Sequence, residues 1–323
     1  MNERSLVAGI VWFLGVLAAP AASAQPPVTA LAFSPAGDSL VSGSQDAIAI
    51  RTWPSLAKAA LHNVEIGQIQ DIQFSPDGTQ LLIAGGNPSE FGEWRIVGWP
   101  DLNLVASSRQ HNDVIHSVAW QSNEQFVTAA ADHEVIQWNV DRQQRPEHRV
   151  ELRRRLIGHS RPVLCLEAFP EDGLITSAGV DQSIRVWGSE ENASKPLRIL
   201  DNHTGIVRDL ARRPGDHAIP ILASAGADRT VRLWQPTIGR LVRFARLPVE
   251  PLALAWSADG KQLGVACIDG KLRIVDASTV QIEQTLDAID GWAYALVASR
   301  DGSFAIAGSD GVAVRIVPNS RLK

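Results

Sequence analysis

Residues 156–187 read LIGHSRPVLCLEAFPEDGLITSAGVDQSIRVW, and residues 200–234 read LDNHTGIVRDLARRPGDHAIPILASAGADRTVRLW. Each stretch places a His after a polar or glycine residue, then an apolar run, a turn, a second apolar run, and an Asp six residues before a Trp. The matched landmarks are His159, Ser177, Asp181 and Trp187 in the first stretch, and His203, Ser224, Asp228 and Trp234 in the second. Self-similarity at a period of forty-odd residues decides architecture before any local reading does, because each unit must bury its apolar face against the next copy.

A third copy lies upstream, with His111, the run Ile115–Trp120, Thr128, Asp132 and Trp138. This spacing suits a four-stranded unit with the His before the first strand, the Ser or Thr on the second, and the Asp in the turn before a third strand that carries the Trp. Here the chain resembles the WD-repeat β-propeller family. The resemblance implies that His111/Thr128/Asp132/Trp138, His159/Ser177/Asp181/Trp187 and His203/Ser224/Asp228/Trp234 are structural tetrads. In such a tetrad the indole ring packs between blades and its N–H starts a relay of buried hydrogen bonds.

Four more units complete the pattern. The first runs from Val28 through Ser34-Pro-Ala-Gly37 to Trp53. The second runs from Ile69 through Ser75-Pro-Asp-Gly78, Leu81–Ala84 and an enlarged loop at 85–92 to Trp99. Both lack the loop His, so their tetrads are incomplete. The sixth ends on Val275-Asp276 in place of Trp-Asp, and the seventh runs from Ala293 to Val317 without the Trp. Asp-Gly turns link first to second strands in several units, where Asp bonds its own backbone and Gly supplies positive φ. The fold class is therefore all-β, a seven-bladed β-propeller of four-stranded antiparallel blades. The last blade is expected to lack its outer strand, leaving an open edge at 312–317.

The N-terminus reads as a cleavable export signal over residues 1–24, of bacterial type: Arg4, an apolar stretch from Leu6 to Ala19, and Ala22-Ser23-Ala24. The apolar stretch is short for a membrane span. This predicts a single propeller over 25–323, a periplasmic or extracellular location, and no stable span after cleavage. Cys165 and Cys267 fall on different blades, farther apart than the roughly 7 Å a disulfide allows, and read as buried thiols.

Composition is that of an ordinary globular protein, 45% hydrophobic and 20% charged, with a net charge of −5 that points to no nucleic-acid partner. No haem, phosphate-loop, nucleophile-elbow, zinc-protease or calcium motif is present, so neither catalytic residues, cofactor nor metal is expected. Asp71, Glu167, Arg208 and Asp209 are polar residues on inner strands, where they line the channel or pair locally. An acid–base role for Asp71 and Asp209 requires that both face one pocket. The Arg-rich segment 141–156 reads as a solvated outer strand whose arginine stems cover apolar surface. Asn192-Ala-Ser and Asn202-His-Thr match the glycosylation triplet, which occurs often by chance.

The resemblance implies a non-enzymatic scaffold that binds proteins or peptides on its top face. Asn112, Asp113, His133, Ser160, Arg161, Gln182, Thr204 and Arg229 are the candidate contacts there. The alternatives are a lactonase- or quinoprotein-like propeller with a site over the channel, and a subunit that completes its fold only in an assembly.

Overall fold

The computed structural model describes residues 25–318 apart from 46, 145–148, 190–193 and 216–218. The leader reading, the Asn192 triplet, His148, His217, Arg145 and Asp46 therefore lie outside the described residues. Among those described, the chain forms six four-stranded antiparallel sheets and one of three strands, each in sequence order from the axis outward. The inner strands are Ala30–Phe33, Gln68–Phe74, Ile115–Ser122, Val163–Phe169, Val207–Arg212, Pro251–Trp256 and Ala295–Ala298, defining blades 1 to 7. No helix among the described residues is long and apolar enough to cross a membrane.

Packing between neighbouring blades holds the ring. The Trp138 ring of blade 3 sits with Leu82, Ala84 and Trp94 of blade 2, and Trp187 of blade 4 with Ala119 and Val127 of blade 3. Trp234 of blade 5 packs on Cys165, Phe169 and Ile184 of blade 4. The rings are at most 1% exposed, so each tryptophan contributes a large buried area to a blade–blade seam. The Asp-Gly turns form as their chemistry dictates. Ser75 donates to Asp77 at 2.7 Å and Ser257 to Asp259 at 2.7 Å, while Gly78 and Gly260 take φ of 71° and 65°.

Three details refine the sequence reading. The segment at 85–92 is not an enlarged loop: strands Gln80–Asn87 and Phe91–Gly98 pair out to Asn87↔Phe91, so blade 2 carries a lengthened hairpin. The Arg-rich segment is only partly a solvated strand. Arg154 is buried and donates to Gln137 Oε1 at 2.7 Å and to the Gly188 carbonyl at 2.5 Å, while Arg142 pairs with Asp77 and Arg155 with Glu134. Its positive charge is largely committed within the fold.

Blade 7 consists of Ala295–Ala298, Phe304–Ala307 and Ala313–Ile316, and its third strand has no outer neighbour among the described residues. The ring closes by packing of blade 7 on blade 1: Val28, Leu31 and Leu40 share a core with Ala295, Ala305, Ala307 and Ala313. The Val28 N–H donates to the Gly308 carbonyl at 3.0 Å.

Candidate functional site

In blades 3, 4 and 5 the tetrads are complete. In blade 4, His159 Nδ1 lies 2.8 Å from Asp181 Oδ2, His159 Nε2 lies 2.8 Å from Ser177 Oγ, and Trp187 Nε1 donates to that Oγ at 2.8 Å. His203, Asp228, Ser224 and Trp234 repeat the set at 2.9, 2.7 and 2.8 Å. His111, Asp132, Thr128 and Trp138 do so at 2.9, 2.7 and 3.0 Å. Burial lowers the His159 and His203 imidazoles below their usual value against the pull of Asp181 and Asp228. A neutral ring fits the network: Nδ1–H donates to Asp, and Nε2 accepts the hydroxyl proton of a Ser that accepts from Trp. Burial alone would raise Asp181 and Asp228. The hydrogen bonds from His159, Ser183, Thr230 and His203 outweigh it and hold both carboxyls low, Asp228 at about 2.

The tetrads also pin the loops above them. The tetrad aspartates accept backbone N–H groups from Asn112 at 2.9 Å, Ser160 at 3.3 Å and Thr204 at 3.1 Å. His133, Gln182 and Arg229 follow the three aspartates at equivalent turn positions, with φ of 72°, 66° and 58°. Asn112, His133, Ser160, Arg161, Gln182, Thr204 and Arg229 are exposed on the tetrad end of blades 3–5. Asp113 differs: it is half-buried, and its carboxylate accepts the N–H groups of Ser89 and Val114 at 2.7 Å.

Beside this arc opens the central channel, a cavity of about 1060 Å³ reached by inner strands of all seven blades. Its blade 2–5 wall is polar, with Asp71, Ser117, Cys165 and Asp209 at equivalent positions; blades 1, 6 and 7 place Ala30, Ala253 and Ala295 there. The carboxylates lace blades together. Asp71 accepts from Val118 N at 2.9 Å and from Ser117 Oγ at 3.1 Å, and Ser117 Oγ accepts from Leu166 N at 3.2 Å. Asp209 accepts from Leu254 N at 2.7 Å, and Glu167 from Arg212 N at 3.1 Å. Inner strands are sheet edges, and these side chains satisfy their free N–H groups. Burial pushes Asp71 up to about 6, Glu167 to about 7 and Asp209 to about 8, despite those backbone hydrogen bonds. Asp71 and Asp209 thus line one cavity, but each is turned onto its neighbour's backbone rather than paired for acid–base work.

At the mouth the structure adds residues that the repeat pattern did not mark. Trp292 is half-exposed beside Tyr294, ring centroids 6.2 Å apart, and Arg208 pairs with Glu250 at 2.8 Å. Trp292 and Glu250 stand in linkers between repeats, where no recurring landmark flags them. Among the described residues, His111, Asp132 and Glu134 bring possible metal-ligand atoms within 4.8 Å. Both His111 nitrogens are committed to Asp132 and Thr128, and Glu134 to Arg155, so the trio serves the tetrad. Cys165 and Cys267 are free and buried.

Comparison with known proteins agrees with the repeat geometry. Residues 16–49, 102–139, 150–188 and 194–235 match the family model described as WD domain, G-beta repeat. The chain is 24% identical over 60% of its length to anaphase-promoting complex subunit cdc20 of Dictyostelium discoideum, covering 37% of that protein. It is 37% identical over 31% of its length to coronin-7 of Bos taurus, covering 11% of it. It is 27% identical over 59% of its length to protein HIR1 of Cryptococcus neoformans, covering 24% of it. The chain thus spans well under half the length of these relatives.

Proposed function

We propose that this chain, a WD-repeat β-propeller, is a non-enzymatic interaction platform that is exported and binds a protein or peptide on the tetrad-bearing face of blades 3–5. The observation that carries this reading is the anchoring of exposed loops to buried tetrad carboxylates through Asn112, Ser160 and Thr204. A polar surface held rigid by its scaffold loses little conformational entropy when a partner docks. Two relatives carry names that place them in assemblies, the cdc20 subunit above and an Arabidopsis thaliana cofactor of the APC complex. The tetrad residues are fully engaged in structural hydrogen bonds, and this supports a role other than catalysis for them. The export reading rests on residues 1–24 of the sequence.

The test is a double reversal of charge at the two exposed arginines. Arg161→Glu with Arg229→Glu should change stability by no more than about 0.5 kcal/mol. It should also abolish capture of proteins that the parent retains from the exporting compartment, read by mass spectrometry. Capture that persists in the double variant removes this face from the account. The second reading is a ligand in the channel, favoured by the half-exposed Trp292 over a cavity of this size. A ligand there would change Trp292 fluorescence and leave the double variant unaffected.

A further inference from the structure

Each inner strand turns one edge to the channel, and at one level its free N–H can be followed around the ring. Pairing with the second strands sets that level: Val118↔Thr128, Leu166↔Ser177 and Leu254↔Val265 align with Leu296↔Ile306 and Leu31↔Ser42. From blade 2 to blade 6 a side chain caps every one of these amides. Asp71 Oδ1 accepts from Ile72 N at 2.8 Å, and Asp71 Oδ2 from Val118 N at 2.9 Å. Ser117 Oγ accepts from Leu166 N at 3.2 Å. Asp209 accepts from Leu210 N through Oδ1 at 2.8 Å and from Leu254 N through Oδ2 at 2.7 Å.

The cap always comes from the position just before the amide, on its own strand or on the equivalent strand of the preceding blade. For Leu296 those positions hold Ala295 and Ala253, and for Leu31 they hold Ala30 and Ala295. A methyl group accepts no hydrogen bond. Among the described residues, no side chain caps Leu296 N or Leu31 N. Both residues line the channel from adjacent blades, and both are buried. A buried N–H is costly to leave unpaired, so this wall presents two neighbouring donors set among methyl groups.

We propose that the channel wall of blades 7 and 1 binds a short peptide or peptide-like amide, whose carbonyl oxygens accept from Leu296 N and Leu31 N. The opposite wall selects the same class. Asp71, Glu167 and Asp209 line the cavity there. Carboxylates in a site of low polarity turn away an anion and accept the N–H or ammonium groups that a peptide carries. The alanines leave room for a main chain to approach, and Trp292 and Tyr294 cover the mouth on this side with rings 6.2 Å apart. Three extended residues span roughly 10 Å, and a cavity of about 1060 Å³ has room for them. The proposal rests on the reading of the channel as a ligand site and is independent of the tetrad-bearing face.

Titration of the ¹⁵N-labelled full chain with the amide of Gly-Ala-Ala tests it. The peptide should shift the Leu31 and Leu296 amide resonances and change Trp292 fluorescence, whereas sodium acetate should do neither. Ala253→Ser with Ala295→Ser places at both positions the hydroxyl that Ser117 uses to cap Leu166 N. This neutral double variant should bind the peptide about tenfold or more weakly, the worth of two hydrogen bonds. Equal affinity in the parent and the serine variant, or peptide shifts that miss both amides, overturns the proposal, and binding of acetate overturns the ligand class. A fluorescence change with equal affinity keeps a channel ligand and removes this wall from its site. No fluorescence change and no shift removes both readings.

Discussion

Blades 4 and 6 have the same four strands in the same register, yet different chemistry holds their turns. In blade 4, Asp181 ends a buried relay from Trp187 through Ser177 and His159. In blade 6, Val265 and Val275 stand where Ser177 and Trp187 do, and both are in the apolar core. Without the relay, Asp269 relies on the arginine contact that Asp181 also makes with Arg185 at 3.5 Å, tightened to both terminal nitrogens of Arg273 at 2.9 and 2.7 Å, with that arginine only 4% exposed. Blade 2 makes a comparable substitution, with Ile83 and Val97 at the Ser and Trp positions and buried Glu93 receiving Arg95 at 2.6 Å. The propeller tolerates loss of the tetrad wherever another pair satisfies the turn or apolar residues fill the seam. What it conserves across blades is register and burial.

The largest expected effect separates these two solutions at one position. Trp187→Ala should cost about 3–5 kcal/mol, because it leaves a large void at the blade 3–4 seam and removes a donor from Ser177. Val275→Ala, at the same place in blade 6, should cost about 1–2 kcal/mol for the two methyl groups lost. Urea melts of the two variants measure this, and a reversed order would show that the tetrad seams are not the tighter ones.

A smaller effect comes from the channel carboxylates. Asp209 is raised to about 8 by burial, against about 3.9 for an unfolded aspartate. The folded state then binds more protons than the unfolded state between those values, so this group's contribution to stability falls as pH rises from about 4 to about 8. Asp209→Asn removes that slope while losing one acceptor at every pH. Relative to the parent, the variant should improve by on the order of 1 kcal/mol or more between pH 5 and pH 8.5. Denaturant midpoints across that range check the sign. A difference that stays flat with pH means Asp209 titrates normally.

The architecture was legible because the tetrads leave a polar signature at fixed spacing in blades 3–5, and recurring turns and apolar runs carry the same phase through blades 1, 2, 6 and 7. The Asp-Gly turns were legible for the same reason, as Ser75, Asp77 and Gly78 show. The lengthened hairpin of blade 2 was not, since glycines at 85, 86 and 92 suggest a loop while pairing continues through them. Nor was the local role of Asp71 and Asp209, which depends on N–H groups donated from the next blade, forty-odd residues away. The channel-mouth residues Trp292 and Glu250 were missed because they occur once each and repeat nothing. Arg154 misled in the opposite sense: a strand dense in arginine looks solvated, but this one reaches inward to Gln137 and Gly188.

Equivalent turn aspartates do unequal work, and substituting two of them in parallel separates their contributions. Asp181 accepts from His159, Ser160 and Ser183, whereas Asp310 at the same turn position of blade 7 accepts from Val312 N at 3.0 Å. Asp181→Ala should cost about 2–4 kcal/mol, because buried donors lose their acceptor. Asp310→Ala should cost about 0.5–1 kcal/mol, the net worth of a single exposed hydrogen bond. Equal losses in denaturant melts of the two variants would contradict the account.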